Sequence, residues 1–143
     1  MKKVFFLLVA LTVGICASYA QATSLYILFP ANSANLERVS TEQAIENNRV
    51  FTEVAKVLSE NPQQRVLVDG HANPVAGTPL EEARILTSLS RQRAEVSAEF
   101  LAKYYNIDRR RIIVSSAGGS LAGTGSGGNH LNRRVNFFIV DPR

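Results

Sequence analysis

Cysteine, histidine and lysine are all scarce in this 143-residue chain, and each scarcity excludes a class of chemistry. The single cysteine, Cys16, lies in an apolar leader, so the rest of the chain has no disulfide, thiolate nucleophile or cysteine-ligated metal. His71 and His130 have no second His, Asp or Glu at metal-ligand spacing, which leaves a metal reading weak. No nucleophile elbow is present, and no nucleophile and base are paired by any recognisable motif, so no enzyme is expected and no cofactor. Glycines cluster between Ala117 and Asn129, but a phosphate loop must open a helix and carry a lysine, and here a strand pattern follows. Long apolar runs are missing as well: Val4 to Leu11 is too short and too weakly flanked to span a membrane.

What is present reads as one globular domain. The chain is 45% hydrophobic and 20% charged, with 9 Gly and 5 Pro, which fits neither a disordered tail nor a collagen-like scaffold. Met1-Lys2-Lys3, the apolar run after it and the small residues Ala17, Ser18, Ala20 and Ala22 form the pattern of a secretory signal over residues 1–20, cleaved near 20–22. The domain then covers residues 24–143. A cysteine after an apolar run can carry a lipid anchor, but Ile15 is bulky where a small residue is wanted, so a plain cleaved signal is expected rather than a lipidated Cys16. Without Lys2 and Lys3 the net charge falls from +4 to +2, too little to argue for nucleic acid. The remaining cations are lopsided: Lys56 and Lys103 stand beside twelve arginines, whose rigid forks grip carboxylates.

Helix and strand patterns alternate along the domain. Leu25 to Phe29 is a short apolar run ended by Pro30, the pattern of a buried strand. Phe51, Val54, Ala55 and Leu58 follow the helical spacing, predicting an amphipathic helix over Thr41 to Ser59 that stops at Asn61-Pro62. Arg65 to Asp69 is a second strand, closed by Gly70, and residues 73–79 form a loop with two prolines. Leu80 to Tyr105 reads as one long helix or two with a break, Ile107 to Ser115 supplies a third strand, and Arg134 to Val140 alternates as the last. The expected class is α+β, in the order βαβαββ, with helices packed on a mixed sheet.

One charged residue falls out of pattern. With Leu89 at zero on a helical projection, Val96 lies near about −20°, Phe100 near about +20° and Arg93 near about +40°, so Arg93 interrupts an apolar stripe. It either snorkels to water or is a desolvated guanidinium waiting for a carboxylate, and periodicity does not choose between them. Gly70-His71-Ala72-Asn73 stands at the C-terminal end of the second strand, where ligands of open sheets bind, although a histidine there more often fixes a loop by hydrogen bonding. Asn132-Arg133-Arg134 brings two more guanidinium groups to the start of the last strand.

These segments together resemble the OmpA-like peptidoglycan-binding domain, also found in peptidoglycan-associated lipoproteins and flagellar stator proteins. The resemblance rests on four stretches in order: residues 27–36 (Ile27-Leu28-Phe29-Pro30 onward), Val66 to Asn73, Leu89 to Val96, and Asn132 to Val135. It implies an exported cell-envelope protein of the periplasm, associated with the outer membrane, that binds the peptidoglycan stem peptide non-covalently. The usual ligand residue is diaminopimelate, whose side chain ends in an ammonium and a carboxylate. By matching positions, Arg93 pairs with the carboxylate, Asn73 accepts from the ammonium, and Arg133 and Asn32 line the pocket. Asn73 stands where the family has Asp, Ala72 where it usually has Thr, and Leu86 where it often has Asn, and the loop from Asn73 to Leu89 looks longer than usual. The alternative is an interaction module that keeps the fold, has lost diaminopimelate and docks an envelope protein.

Overall fold

The computed structural model describes residues 25–72, 79–119 and 132–141, with backbone alone for residues 79–82. The expected signal at residues 1–20, the glycine-rich stretch 120–131 with His130, and Asn73 lie outside the described residues.

Ser40 starts the first helix by accepting a hydrogen bond from the Gln43 amide at 3.2 Å. That helix, α1, runs Thr41–Glu60 and buries Val50, Phe51, Val54, Ala55 and Leu58 on one side. Strand β1 is Leu25–Leu28, β2 is Arg65–Gly70, α2 is Pro79–Tyr105, β3 is Ile112–Ser116 and β4 is Arg134–Val140. The α+β order is therefore βαβαββ, as expected. The sheet has the order β1-β4-β2-β3, with β2 and β3 parallel and the other pairs antiparallel. A helix must cross between parallel neighbours, and α2 does so between β2 and β3.

Register places Ile27, Val135, Val68, Phe137 and Ile112 on one face, and both helices cover it. Phe51 of α1 meets Phe137 edge-on at 5.6 Å and Phe100 of α2 at 4.5 Å, joining the three elements in one core. The other face carries Tyr26, Leu67 and Phe138 and is not covered by either helix. Tyr26 is 38% exposed and Phe138 is 44% exposed.

Edge strand β1 is held by a side chain that imitates a neighbouring strand. Asn47 Oδ1 accepts from the Leu28 amide at 3.0 Å, and Asn47 Nδ2 donates to the Leu28 carbonyl at 2.9 Å. Asn47→Ala leaves both backbone groups without partners next to the core, and we expect a loss of about 2–3 kcal/mol. Urea denaturation measures it, and Asn47→Asp, which keeps the acceptor and loses the donor, should be little better.

Two departures from the sequence expectations have clear causes. The third strand begins at Ile112 because Asn106 is in the left-handed region, with φ 55, and Asp108 caps a turn over Arg109–Arg111. Arg111 does not extend the strand; its guanidinium donates to the carbonyls of Leu58, Asn61 and Gln64 and so closes the end of α1. The second departure is the buried face of α2. Ser90, Arg93, Ala94, Ser97, Ala98 and Leu101 are all fully buried, whereas Val96 is 37% exposed, so the face is turned well away from Leu89. The cause is Gly70: a Cβ there would sit 2.0 Å from the Ser90 carbonyl oxygen, so α2 rests directly on the β2 backbone and only small side chains fit between them.

Candidate functional site

The C-terminal ends of β2 and β3 and the start of β4 meet at one end of the sheet. Ala72 donates to the Gly118 carbonyl, Ala117 to Gly70, His71 to Arg134 and Phe29 to Arg133, so four segments are stitched there by backbone bonds. Gly118, with φ 59, also donates to the Ser90 hydroxyl, which ties the same end to α2. Leu86 is buried against Gly119 and fills the neighbouring space with apolar atoms.

Arg93 sits at the centre of this arrangement and is 0% exposed. Its Nε donates to Ser33 O at 3.0 Å, Nη1 to His71 O at 2.9 Å and Nη2 to Pro30 O at 3.0 Å, and the guanidinium lies 5.5 Å from the centre of the Phe29 ring. The snorkelling alternative is thereby excluded. The fork instead clamps the 30–33 turn to the end of β2, and its own carbonyl accepts from Ser97 Oγ at 2.7 Å. Asn32 stands exposed on that turn with φ 50, a left-handed conformation that asparagine tolerates.

Burial, and then the neighbouring Arg133 charge, push the Arg93 pKa down to about 10, so the group is still a cation at neutral pH. Arg133 is half-buried, and its Nε is enclosed with no hydrogen-bond partner. Among the described residues, no Asp or Glu is paired with either guanidinium. Two cations set close together, with carbonyl dipoles and the Phe29 ring facing Arg93 and no acid paired with it among the described residues, form a place where an anion is electrostatically favoured. The structure thus brings Arg93, Arg133 and the Asn32 turn to one end of the molecule. Asn73, the residue after Ala72 in the sequence, lies outside the described residues.

A sequence model of the OmpA family matches residues 28–134. The chain is a member of the OmpA family. Solved structures of other proteins share its fold. The peptidoglycan-associated lipoprotein from Burkholderia pseudomallei is 19% identical with a TM-score of 0.63, over 80% of this chain and 89% of that one. The C-terminal domain of Helicobacter pylori MotB is 20% identical with a TM-score of 0.60, over 82% and 86%. An outer membrane protein from Borrelia burgdorferi is 24% identical with a TM-score of 0.58, over 82% and 87%. No curated protein sequence matches significantly. Among the described residues, no helix of this OmpA-family chain is long and apolar enough to cross a membrane, and no three metal-ligating side chains converge.

Periodicity did not reveal the side-chain chain on the uncovered sheet face. His71 Nε2 lies 3.0 Å from Asp69 Oδ2 and 3.1 Å from Asn136 Nδ2, and Arg134 Nε donates to Asn136 Oδ1 at 3.1 Å. The cross-strand register of Asp69 with Asn136 could have suggested it only once the strand order was known. Burial lowers the His71 pKa, the Arg134 charge adds to this, and Asp69 opposes it. The unfolded chain therefore takes up the proton first, near about pH 6.5. The contribution of neutral His71 to stability is complete above that value and is lost as pH falls through the lower folded value. Melting temperature should fall on acidification through this window, and His71→Gln should flatten that part of the pH profile.

Proposed function

We propose that this OmpA-family domain binds peptidoglycan non-covalently through its stem peptide, as an exported, non-enzymatic envelope protein of the periplasm associated with the outer membrane. The observation that carries the reading is that the guanidinium groups of Arg93 and Arg133 lie at one end of the sheet with no Asp or Glu paired to either among the described residues. In this reading residues 1–20 are the export signal and residues 24–143 the binding domain. Arg93 and Arg133 supply the charge for a peptide carboxylate, Asn32 lies on the rim, and Asn73 accepts from an amine. A neutral acceptor is worth about 1 kcal/mol where a charged one is worth about 1.5–3, so Asn73 makes the amine contact the weaker half of the site.

Co-sedimentation with purified sacculi tests the proposal. Wild type should pellet with the sacculi and Arg133→Ala should stay in solution with an unchanged melting temperature. Wild type that stays in solution would overturn the proposal.

The exposed Tyr26 and Phe138 on the uncovered sheet face favour a second reading, a module that docks an envelope protein there. On that reading Tyr26→Ser with Phe138→Ser abolishes partner capture and leaves sacculus binding as it was.

A further inference from the structure

The described segments at the cationic end of the molecule carry no acid. The segments that build it, residues 29–35, 70–72, 116–119 and 132–134, contain no Asp or Glu, and neither do the joining stretches 73–78 and 120–131. The nearest acid in sequence, Asp69, is engaged by His71 on the uncovered face. Glu81 and Glu82 begin α2, about 17 Å along the helix axis from Arg93 at the usual rise per residue. Arg93 is closed to solvent and has three nitrogens occupied by carbonyls, whereas Arg133 is only half-buried and so stays open to solvent, although its Nε is enclosed and unpaired.

Resting on the reading that this end holds the wall peptide, we infer that the site selects its ligand by the carboxylate and that the ammonium beside it adds at most one neutral hydrogen bond. Arg133 makes the direct contact, and Arg93 acts from behind as a positioning residue and a fixed positive charge. An ammonium brought to two guanidinium groups meets repulsion and, with no acid to receive it, only neutral acceptors. The ligand class is thus an anionic side-chain terminus, with the amine next to it dispensable.

Three synthetic stem tripeptides separate the contributions in a calorimetric titration of the full mature chain. One carries diaminopimelate, one carries 2-aminopimelate, which keeps the carboxylate and lacks the distal amine, and one carries lysine, which keeps the amine and lacks the carboxylate. The aminopimelate peptide should bind within about tenfold of the diaminopimelate peptide, the worth of one neutral hydrogen bond at most. The lysine peptide should be weaker by about a hundredfold, the loss of charge-assisted bonds, and Arg133→Ala should bring all three to that level without a change in melting temperature. An aminopimelate peptide as weak as the lysine peptide overturns the inference and leaves wall binding intact. If no tripeptide binds, the inference fails, and sacculus sedimentation then decides separately whether wall binding stands.

Discussion

Gly70→Ala is expected to lower stability by about 3 kcal/mol or more and the melting temperature by about 12 °C or more. The added methyl group would lie 2.0 Å from the Ser90 carbonyl oxygen and 3.1 Å from Ala94 Cβ. The first neighbour is backbone in the middle of α2, so no rotamer change relieves the contact. Relief requires lifting the helix off β2, which opens space beside Val66, Val68, Ala98 and Leu101, all 0% exposed. For a domain with a stability of roughly 5–15 kcal/mol, this is a large fraction of the total. Circular dichroism during thermal unfolding measures the effect, and a melting temperature within about 3 °C of wild type would show that the helix and strand are not in direct backbone contact.

Arg93→Ala is the second large effect, expected at about 3–5 kcal/mol. Two contributions oppose one another. Burying the guanidinium is costly, as its lowered pKa indicates, and removing it relieves that cost along with the repulsion from Arg133. Against this, the carbonyls of Pro30, Ser33 and His71 lose charged donors that nothing nearby replaces, and the fully buried side chain leaves a cavity. Orphaned acceptors cost about 1–3 kcal/mol each, so three of them outweigh the relief even if water rehydrates one. Arg93→Lys should recover only part of the loss, since a single ammonium does not reproduce a planar fork aimed at three separate carbonyls. Urea unfolding checks both variants. An Arg93→Ala protein as stable as wild type would mean that the turn around Asn32 does not depend on the clamp.

Much of the fold was legible because the elements are marked locally. Ser40 and Asn61 bracket α1, Arg134 to Val140 alternates cleanly, and the order of elements follows from turn residues between them. The face of α2 was not legible in the same way. Small residues carry little hydropathy, so Ser90, Ala94 and Ser97 gave no stripe, and the reason they are buried lies in a glycine of another element, twenty residues away from Ser90. Arg93 stood out in the sequence because it broke an apolar stripe, but its three carbonyl partners come from two distant segments and have no signature of their own. Arg133 is visible in the sequence as one of two guanidinium groups at the start of the last strand, and only the family resemblance points it at a pocket; its unpaired Nε is a property of the packing at the start of β4. The expectation of anionic partners for an arginine-rich chain needs dividing, since Arg111 uses its fork on backbone carbonyls and Arg93 uses most of its own there.

An anionic stem peptide held at the Arg93 and Arg133 end of the sheet, as proposed, would leave a direct spectroscopic signature. Nitrogen-15 spectra of the arginine side chains, recorded during titration with a diaminopimelate tripeptide, test for it most directly. The Arg133 guanidinium resonances should shift strongly, with smaller changes at Arg93 and at the backbone amides of residues 31–33. Perturbations confined to Tyr26, Leu67 and Phe138 on the uncovered sheet face, with the Arg133 signal unmoved, would contradict the account.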